Sequence, residues 1–379
     1  MPYTQHTSGR PTWLEIDLDA VAHNFQRARA AVAPATGIYP VVKGDGYGLG
    51  VLPIARRLLA AGANGLCVAT VEEASELRKE GITHPLILLS GLSAGVEESV
   101  AALGLQPFVF DPAQLAPLSQ AARSRPLTLF LKVYTGMGRL GLLPEQLPEA
   151  LRLLRTLPGI RLAGLVSHLA CADQPEHPDN QRQIDTLRSL LTQYGLSQGQ
   201  TSLANSGAIL ARPDSHFSWV RPGILLYGAS PFFPANQAQQ IGLQPVVSWY
   251  TRIVQLRSLP AGTAIGYGQT FVTQHPSRIA ILPVGYADGY NRLLGNRAQV
   301  LLHGCRVPVI GRVSMDSIAI DVTGLPAVET GTLVTLLGRD GNEAITLEEM
   351  AAWRQTIPYE VITNLGKRVA KYPISAQSL

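Results

Sequence analysis

Pro40-Val41-Val42-Lys43-Gly44-Asp45-Gly46-Tyr47-Gly48-Leu49-Gly50 is the stretch around which the chain is organised. Before the lysine, Ile38, Tyr39, Val41 and Val42 are apolar, β-branched or aromatic, and read as a buried strand. After it, glycines stand at 44, 46, 48 and 50, and a helical pattern follows in Leu52-Pro53-Ile54-Ala55-Arg56-Arg57-Leu58-Leu59. Strand, glycine-rich turn and helix form the layout of a site at the carboxyl edge of a sheet, where glycine lets the backbone approach a ligand. A lysine ending a hydrophobic strand can form a Schiff base, because loss of water lowers its pKa and frees the amine. Taken alone, Lys43 reads equally well as a strand-end lysine reaching solvent.

Outward from this stretch the same unit repeats. Hydrophobic runs at 65–69, 85–89, 107–110, 127–133, 160–168, 201–204 and 217–221 alternate with helical patterns at 71–80, 95–103, 112–123, 145–157, 180–194 and 206–211. Continuous apolar strands between helices predict a parallel sheet buried on both faces. Counted from Ile38, the eight strand cues match an α/β fold of the closed eight-stranded (β/α)8, TIM-like barrel type. The competing architecture is an open doubly wound sheet, for which no G-x-G-x-x-G supports a dinucleotide version. The run Trp13-Leu14-Glu15-Ile16-Asp17-Leu18 is then a surplus strand, and Asp19 reads as the N-cap of a helix over 20–33.

Near Pro245 the pattern changes to strand-like segments at 246–259, 278–284, 299–303, 307–313, 318–322 and 333–337. One helix at 347–355 interrupts them, opened by the capping box Thr346-Leu347-Glu348-Glu349. The division expected is therefore 1–18 as a surplus strand that pairs outside the barrel, 19–240 as the barrel, and 241–379 as a mainly β domain, with a linker over 236–242. The 379 residues, 46% hydrophobic and 15% charged, suffice for two cores. A net charge of +4 spread along the chain, with no basic block, argues against nucleic acid as a partner. Cys67, Cys171 and Cys305 show neither metal-ligand nor disulfide spacing, so no metal is expected and a cytoplasmic setting is. The first ten residues lack the apolar core of a secretory leader, and no run is apolar enough to cross a membrane.

Candidate chemistry gathers at the strand ends. Lys43 ends the first barrel strand, and Lys132 and Arg139 flank Thr135-Gly136-Met137-Gly138 after the fifth. His168 ends the sixth, Asn205-Ser206 opens a helix whose first N–H groups can bind phosphate, and Arg221-Pro222-Gly223-Ile224 ends the last. Each has a plain structural explanation: a satisfied core histidine, a simple N-cap. Together they make a cation-rich, phosphate-binding mouth around a lysine, which suits pyridoxal phosphate.

Val42-Lys43-Gly44-Asp45-Gly46-Tyr47-Gly48 resembles the pyridoxal-phosphate signature of the alanine racemase family. Arg10 to Asp17, Gly136-Met137-Gly138-Arg139-Leu140-Gly141, Ala204-Asn205-Ser206, Arg221 to Gly228, Gly266-Tyr267-Gly268, Val284 to Gly289 and Gly311 to Asp316 extend the resemblance in order over nearly the whole chain. It implies a barrel followed by a β-rich domain to which the first strand contributes. It also implies a homodimer with shared sites, and interconversion of L- and D-alanine that supplies D-alanine for peptidoglycan. By the same resemblance Lys43 holds the cofactor, and Tyr47, Ser206, Gly223, Ile224 and Tyr359 hold its phosphate, with Asn205 beside them. Arg221 faces the ring nitrogen, His168 lies beneath the ring or its network, and Arg139 bonds the ring hydroxyl and the substrate. Lys132 stands at a position carbamylated in many members. Tyr267 is the second catalytic base, Met315 binds the substrate carboxylate, and Tyr286 and Asp316 line the way in.

The chain departs from the family at Gly44 and Gly46, where alanines are usual, at Leu49, where histidine is, and at Tyr134 and Ser314. None of these removes a catalytic group. Substrate breadth, serine included, stays open. A pyridoxal-phosphate decarboxylase shares the two-domain plan but calls for an acid in place of Arg221. A non-catalytic cofactor-binding protein is typically a lone barrel.

Overall fold

The computed structural model describes residues 9–123, 125–196, 200–234 and 238–375. Two compact units divide the chain: Val21–Gln244, and Met1–Ala20 together with Pro245–Leu379.

In the first unit, parallel strands Leu66–Val68, Leu86–Leu88, Gln106–Val109, Leu127–Lys132 and Ile160–Val166 pair in sequence order. Gly37–Ile38 pairs in parallel with Trp219–Val220. Parallel bridges join Val41 to Cys67 and Val166 to Ser202. Leu66, Cys67, Val68, Leu86, Ile87 and Leu88 are all fully buried, so these strands carry no polar face. Phe108, Phe130 and Trp219 pack together inside, with centroids 5.2–6.4 Å apart.

The organising stretch is tighter than a glycine-rich turn requires. Gly44, Asp45, Gly46, Tyr47 and Gly48 all have positive φ, from 55° to 84°, and form one left-handed turn closed by Gly46 N→Val42 O at 2.9 Å and Gly48 N→Gly44 O at 2.7 Å. An L-residue in that conformation costs about 1–2 kcal/mol. Asp45 offsets this by accepting Val51 N–H at 2.9 Å, and Tyr47 by stacking on Tyr227 with centroids 4.4 Å apart. At Gly46 a Cβ would also come within 3.1 Å of Val51 Cα.

The second unit is one large sheet in the order Gln255–Leu259, Ser277–Leu282, Ile318–Asp321, Cys305–Ile310, Gln299–Leu302, Leu333–Asp340, Val247–Arg252, Thr12–Asp17, Ala370–Ile374. Strand Thr12–Asp17 lies antiparallel to Val247–Arg252 on one side and parallel to Ala370–Ile374 on the other. Ile265, Ile279, Ile310 and Ala319 form a buried cluster, packed by Leu259, Phe271 and Ile281. Each such aliphatic side chain contributes about 1.5–3 kcal/mol on burial.

Four local readings need correction. The helix Leu18–Ala30 is capped by Asp17, not Asp19: Asp17 Oδ1 accepts from Asp19 N and Ala20 N at 2.9 and 2.8 Å. The segment 246–259 is two strands, since Val247–Arg252 and Gln255–Leu259 pair with different neighbours. The expected linker contains the helix Ala238–Ile241, while Asn236 and Gln237 lie outside the described residues. At Thr346 the hydroxyl caps Glu349 N, but the Glu349 carboxylate binds Arg306 at 2.6 and 3.2 Å.

Candidate active site

Burial lowers the pKa of Lys43, Lys132 and His168 in the α/β unit, and nearby cations add to it: Arg139 acts on all three, and Arg221 on Lys132 and His168. Arg221 is the most tightly held. It is buried, and its Nη1 donates to Ser202 Oγ at 2.5 Å. Its Nη2 donates to Ser167 O at 2.6 Å, Leu203 O at 3.2 Å and His168 Nδ1 at 3.4 Å. The guanidinium lies over Trp219 and Phe108, 5.5 and 5.8 Å from the ring centroids. Burial pulls its pKa down from the usual arginine range to about 10, opposed by Cys67. It remains charged at neutral pH.

Because His168 Nδ1 accepts from Arg221, its ring proton sits on Nε2. Burial, then Arg221, Lys132, Arg139 and Lys43, hold its pKa well below the ordinary value, so the ring is neutral at pH 7. Lys132 is buried, 5.9 Å over the Phe108 ring, and burial followed by Arg221, Arg139 and Lys43 lowers it to about 8. Lys43 is exposed as a residue, yet its amine loses enough water at the mouth to be lowered. Arg139 adds to that effect, and Glu73 and Cys67 oppose it.

An anion cradle adjoins this cluster. Asn205 caps the helix Ser206–Ala211 by accepting Ala208 N–H at 3.2 Å, which places Ser206 at its first turn. Ser206 Oγ accepts from Gly223 N at 2.8 Å and Leu225 N at 3.4 Å. A Cβ at Gly223 would stand 2.5 Å from the Tyr47 hydroxyl and 3.9 Å from Ser206 Oγ. Two hydroxyls and backbone N–H groups thus converge where only glycine fits, with Ile224 next in the chain. This donor set and the surplus of cations suit a phosphorylated, anionic ligand.

Several residues here escaped the sequence reading. Glu73 accepts from Gly44 N and Ala69 N, both at 2.7 Å, and so ties the Lys43 turn to the next strand end. Its signal was present, since Thr70 and Glu73 form a capping box. Ser202, Ser167, Thr135 and Gln183 form a chain behind Arg221. Thr135 Oγ1 and Ser167 Oγ are 2.8 Å apart, and Gln183 Nε2 donates to Thr135 Oγ1 at 3.0 Å and His168 O at 2.9 Å. Nothing in spacing marks them. Cys171, His177 and Asp179, unrelated in the sequence reading, bring potential ligand atoms within 4.8 Å of one another. His177 Nδ1 caps Asp179 N and Asp179 pairs with Arg182 at 2.7 Å, so two of the three already serve a helix start.

The remaining candidates lie in the β-rich unit. Tyr267 is 71% exposed, between Gly266 and Gly268, both left-handed. Met315, Tyr286 and Tyr359 are exposed as well. Asp316 binds Arg368 at 2.6 Å, and Arg368 also binds buried Asp288, as does Arg10. Burial pushes the Asp288 carboxyl up, but the two arginines and Gly285 N–H outweigh it and hold it below its usual range.

Comparison with known proteins places both units. The sequence profile of the alanine racemase N-terminal domain matches residues 16–231, and that of the alanine racemase C-terminal domain matches 246–372. The alanine racemase of Syntrophobacter fumaroxidans is 42% identical over 361 residues, 94% of this chain and 96% of its own. A crystal structure of alanine racemase from D-cycloserine-producing Streptomyces lavendulae superposes with a TM-score of 0.92 at 34% identity, covering 97% and 98% of the two chains. One from Bartonella henselae, with covalently bound pyridoxal phosphate, gives 0.87 at 32% identity, covering 97% and 100%.

Proposed function

The chain belongs to the alanine racemase family, interconverting L- and D-alanine with pyridoxal phosphate as cofactor, and we propose which of its residues do this and how two copies share the work. The observation that carries the proposal is the mouth of the α/β unit. Arg139 acts electrostatically there on Lys43 and Lys132, and Arg221 on Lys132, beside a cradle of Ser206, Gly223 and Tyr47.

The parallel segments of that unit form one closed eight-stranded barrel. Support comes from the links at its two gaps: Val41 to Cys67, and Val166 through Ser202 to the segment around Trp219, where Ser218 N and Trp219 N both donate to Thr201 O. Closure brings every strand end named above to one face.

At that face Lys43 would hold the cofactor, and Tyr47, Ser206, Gly223 and Ile224 would hold its phosphate, a role the family resemblance gives to Tyr359 as well. Asn205 sets the position of Ser206. Arg139 would bond the ring hydroxyl and the substrate, and Met315 would bind the substrate carboxylate. Pyridoxal phosphate supplies an electron sink that acidifies the Cα–H of an amino acid joined to it. Arg221, fixed by Ser202, Ser167 and Leu203, would meet the ring nitrogen as a hydrogen-bond donor. A guanidinium that stays charged does not hand over a full proton, so the sink is weak and decarboxylation and transamination are suppressed. Lys132, lowered to about 8, keeps a share of neutral amine able to take up carbon dioxide. The resulting carbamate is a fixed anion facing Arg139.

Racemisation takes a proton from one face of Cα and returns one to the other. One rigid base does not reach both faces, so two are required. Lys43 acts on the D-enantiomer and Tyr267 on the L-enantiomer. Tyr267, Tyr286, Met315, Ile357 and Tyr359 leave the β-rich unit with exposed aromatic and apolar side chains that a second copy would cover. An isologous dimer then completes each mouth with the other chain's Tyr267, and Tyr286 and Asp316 line the way in. The three free thiols, Cys305 exposed, suit a cytoplasmic setting.

Borohydride treatment should fix the cofactor on Lys43, and chiral chromatography on single-enantiomer amino acids should show alanine turned over fastest, with serine as the discriminating competitor. Mixing inactive Lys43→Ala and Tyr267→Phe proteins should restore about a quarter of the wild-type sites once subunits exchange at random. Verified hybrids that stay inactive would end the shared-site proposal.

A further inference from the structure

Arg354 ends the helix Leu347–Arg354 and is 3% exposed. Its Nε and Nη1 are buried without a hydrogen-bond partner. A buried guanidinium with unused donors is costly unless an anion meets it. Glu360, whose charge reaches Arg354, is committed elsewhere, bonded by Thr356 Oγ1 and Asn364 Nδ2.

Arg354 lines a cleft of about 500 Å³ within the β-rich unit, shared with Arg292, Tyr286, Asn291 and Asn364. Arg292 brings a second cation. The Asn291 side-chain oxygen accepts Leu293 N–H at 2.8 Å, leaving its amide NH2 as a donor. Two guanidiniums, an amide and a phenol form a donor-rich wall of the kind that recognises oxygen anions.

We propose that this cleft binds one small oxyanion, a carboxylate or a phosphate, held by Arg354 and Arg292. The site is formed from residues of the β-rich unit; it shares Tyr286 with the proposed way into the Lys43 mouth, while its two anchors, Arg354 and Arg292, are not among the groups at that mouth. Occupancy joins the end of the 347–354 helix to the 286–292 segment, so it stabilises that unit.

The test is equilibrium dialysis of the full chain, loaded with pyridoxal phosphate so that the cofactor's own phosphate seat is filled, against labelled inorganic phosphate and separately against labelled acetate. One equivalent of at least one anion per chain should bind beyond the cofactor, and Arg354→Leu should weaken it at least tenfold. The same anion should raise the thermal midpoint of the wild type and not that of Arg354→Leu. In anion-free buffer Arg354→Leu should be at least as stable as the wild type. Arg292→Gln, on the more exposed side, should weaken binding severalfold and serves if Arg354→Leu does not fold. Uptake of phosphate alone identifies a phosphate-type site, and uptake of acetate alone a carboxylate-type site. No uptake of either, or uptake unchanged in both variants, overturns the proposal.

Discussion

In the α/β unit the candidate groups are fixed from behind. Arg221 is anchored through Ser202, Ser167 and Leu203, Ser206 by the N–H groups it accepts, and Tyr47 by stacking on Tyr227. In the β-rich unit Tyr267, Met315 and Tyr286 stand out from a well-packed sheet, each more than 40% exposed. The first arrangement is preorganised within one chain. The second leaves its groups exposed. Fold stability and the proposed catalytic roles therefore overlap in one unit and separate in the other.

That contrast can be tested by what each substitution costs besides activity. Tyr267→Phe should lower kcat for L-alanine by on the order of a thousandfold or more, while the urea midpoint stays within about 0.5 kcal/mol of wild type, as for an exposed side chain. Arg221→Glu should slow racemisation by on the order of a hundredfold and raise decarboxylation or transamination products. Because it buries a carboxylate opposite Ser167 O and Leu203 O, it should also cost about 3 kcal/mol or more of stability. If Tyr267→Phe proved as destabilising as Arg221→Glu, the contrast would collapse. Gly223→Ala sharpens the α/β side: a methyl 2.5 Å from the Tyr47 hydroxyl should cut cofactor affinity at least tenfold, read by absorbance titration of apoprotein, with the fold retained.

The smallest effect expected is a pH slope. Lys132 falls to about 8 in the folded protein, against an unfolded value near ~10.4. Between those values the unfolded chain binds the extra proton, so stability rises with pH across that window and is flat in this term below it. In carbonate-free buffer, Lys132→Met should remove up to about 2 kcal/mol of that rise, measured as urea midpoints at pH 7.5 and 10. An unchanged slope would mean that Lys132 keeps its water.

Much of the α/β unit was legible because parallel strands buried on both faces leave unbroken apolar runs, as at Leu66–Val68 and Leu86–Leu88. The lysine was legible because a charge ending such a run is conspicuous. The left-handed turn at 44–48 was legible only as glycine content, since Asp45 and Tyr47 share its conformation without being glycine. The chain of Gln183, Thr135, Ser167 and Ser202 was not legible at all, because it is assembled across strands from common polar residues. In the β-rich unit the break at Ile253-Val254 went unseen, since both flanking strands are β-formers and only their partners differ. The strand Ala370–Ile374, with its proline, lacked a strand signal of its own and exists by pairing with Thr12–Asp17.

That last pairing bears on how the chain is made. Thr12–Asp17 is synthesised long before its neighbour Val247–Arg252, and longer still before its other neighbour Ala370–Ile374. The whole α/β unit is translated in between and can fold as a body during that interval. For tens of seconds at ordinary elongation rates, Trp13, Leu14 and Ile16 wait as a nascent strand with both edges open. The vulnerable period in the life of this protein is therefore its own translation. A ribosome stalled before Ala370 would hold a finished α/β unit tethered to a strand still exposed along one edge.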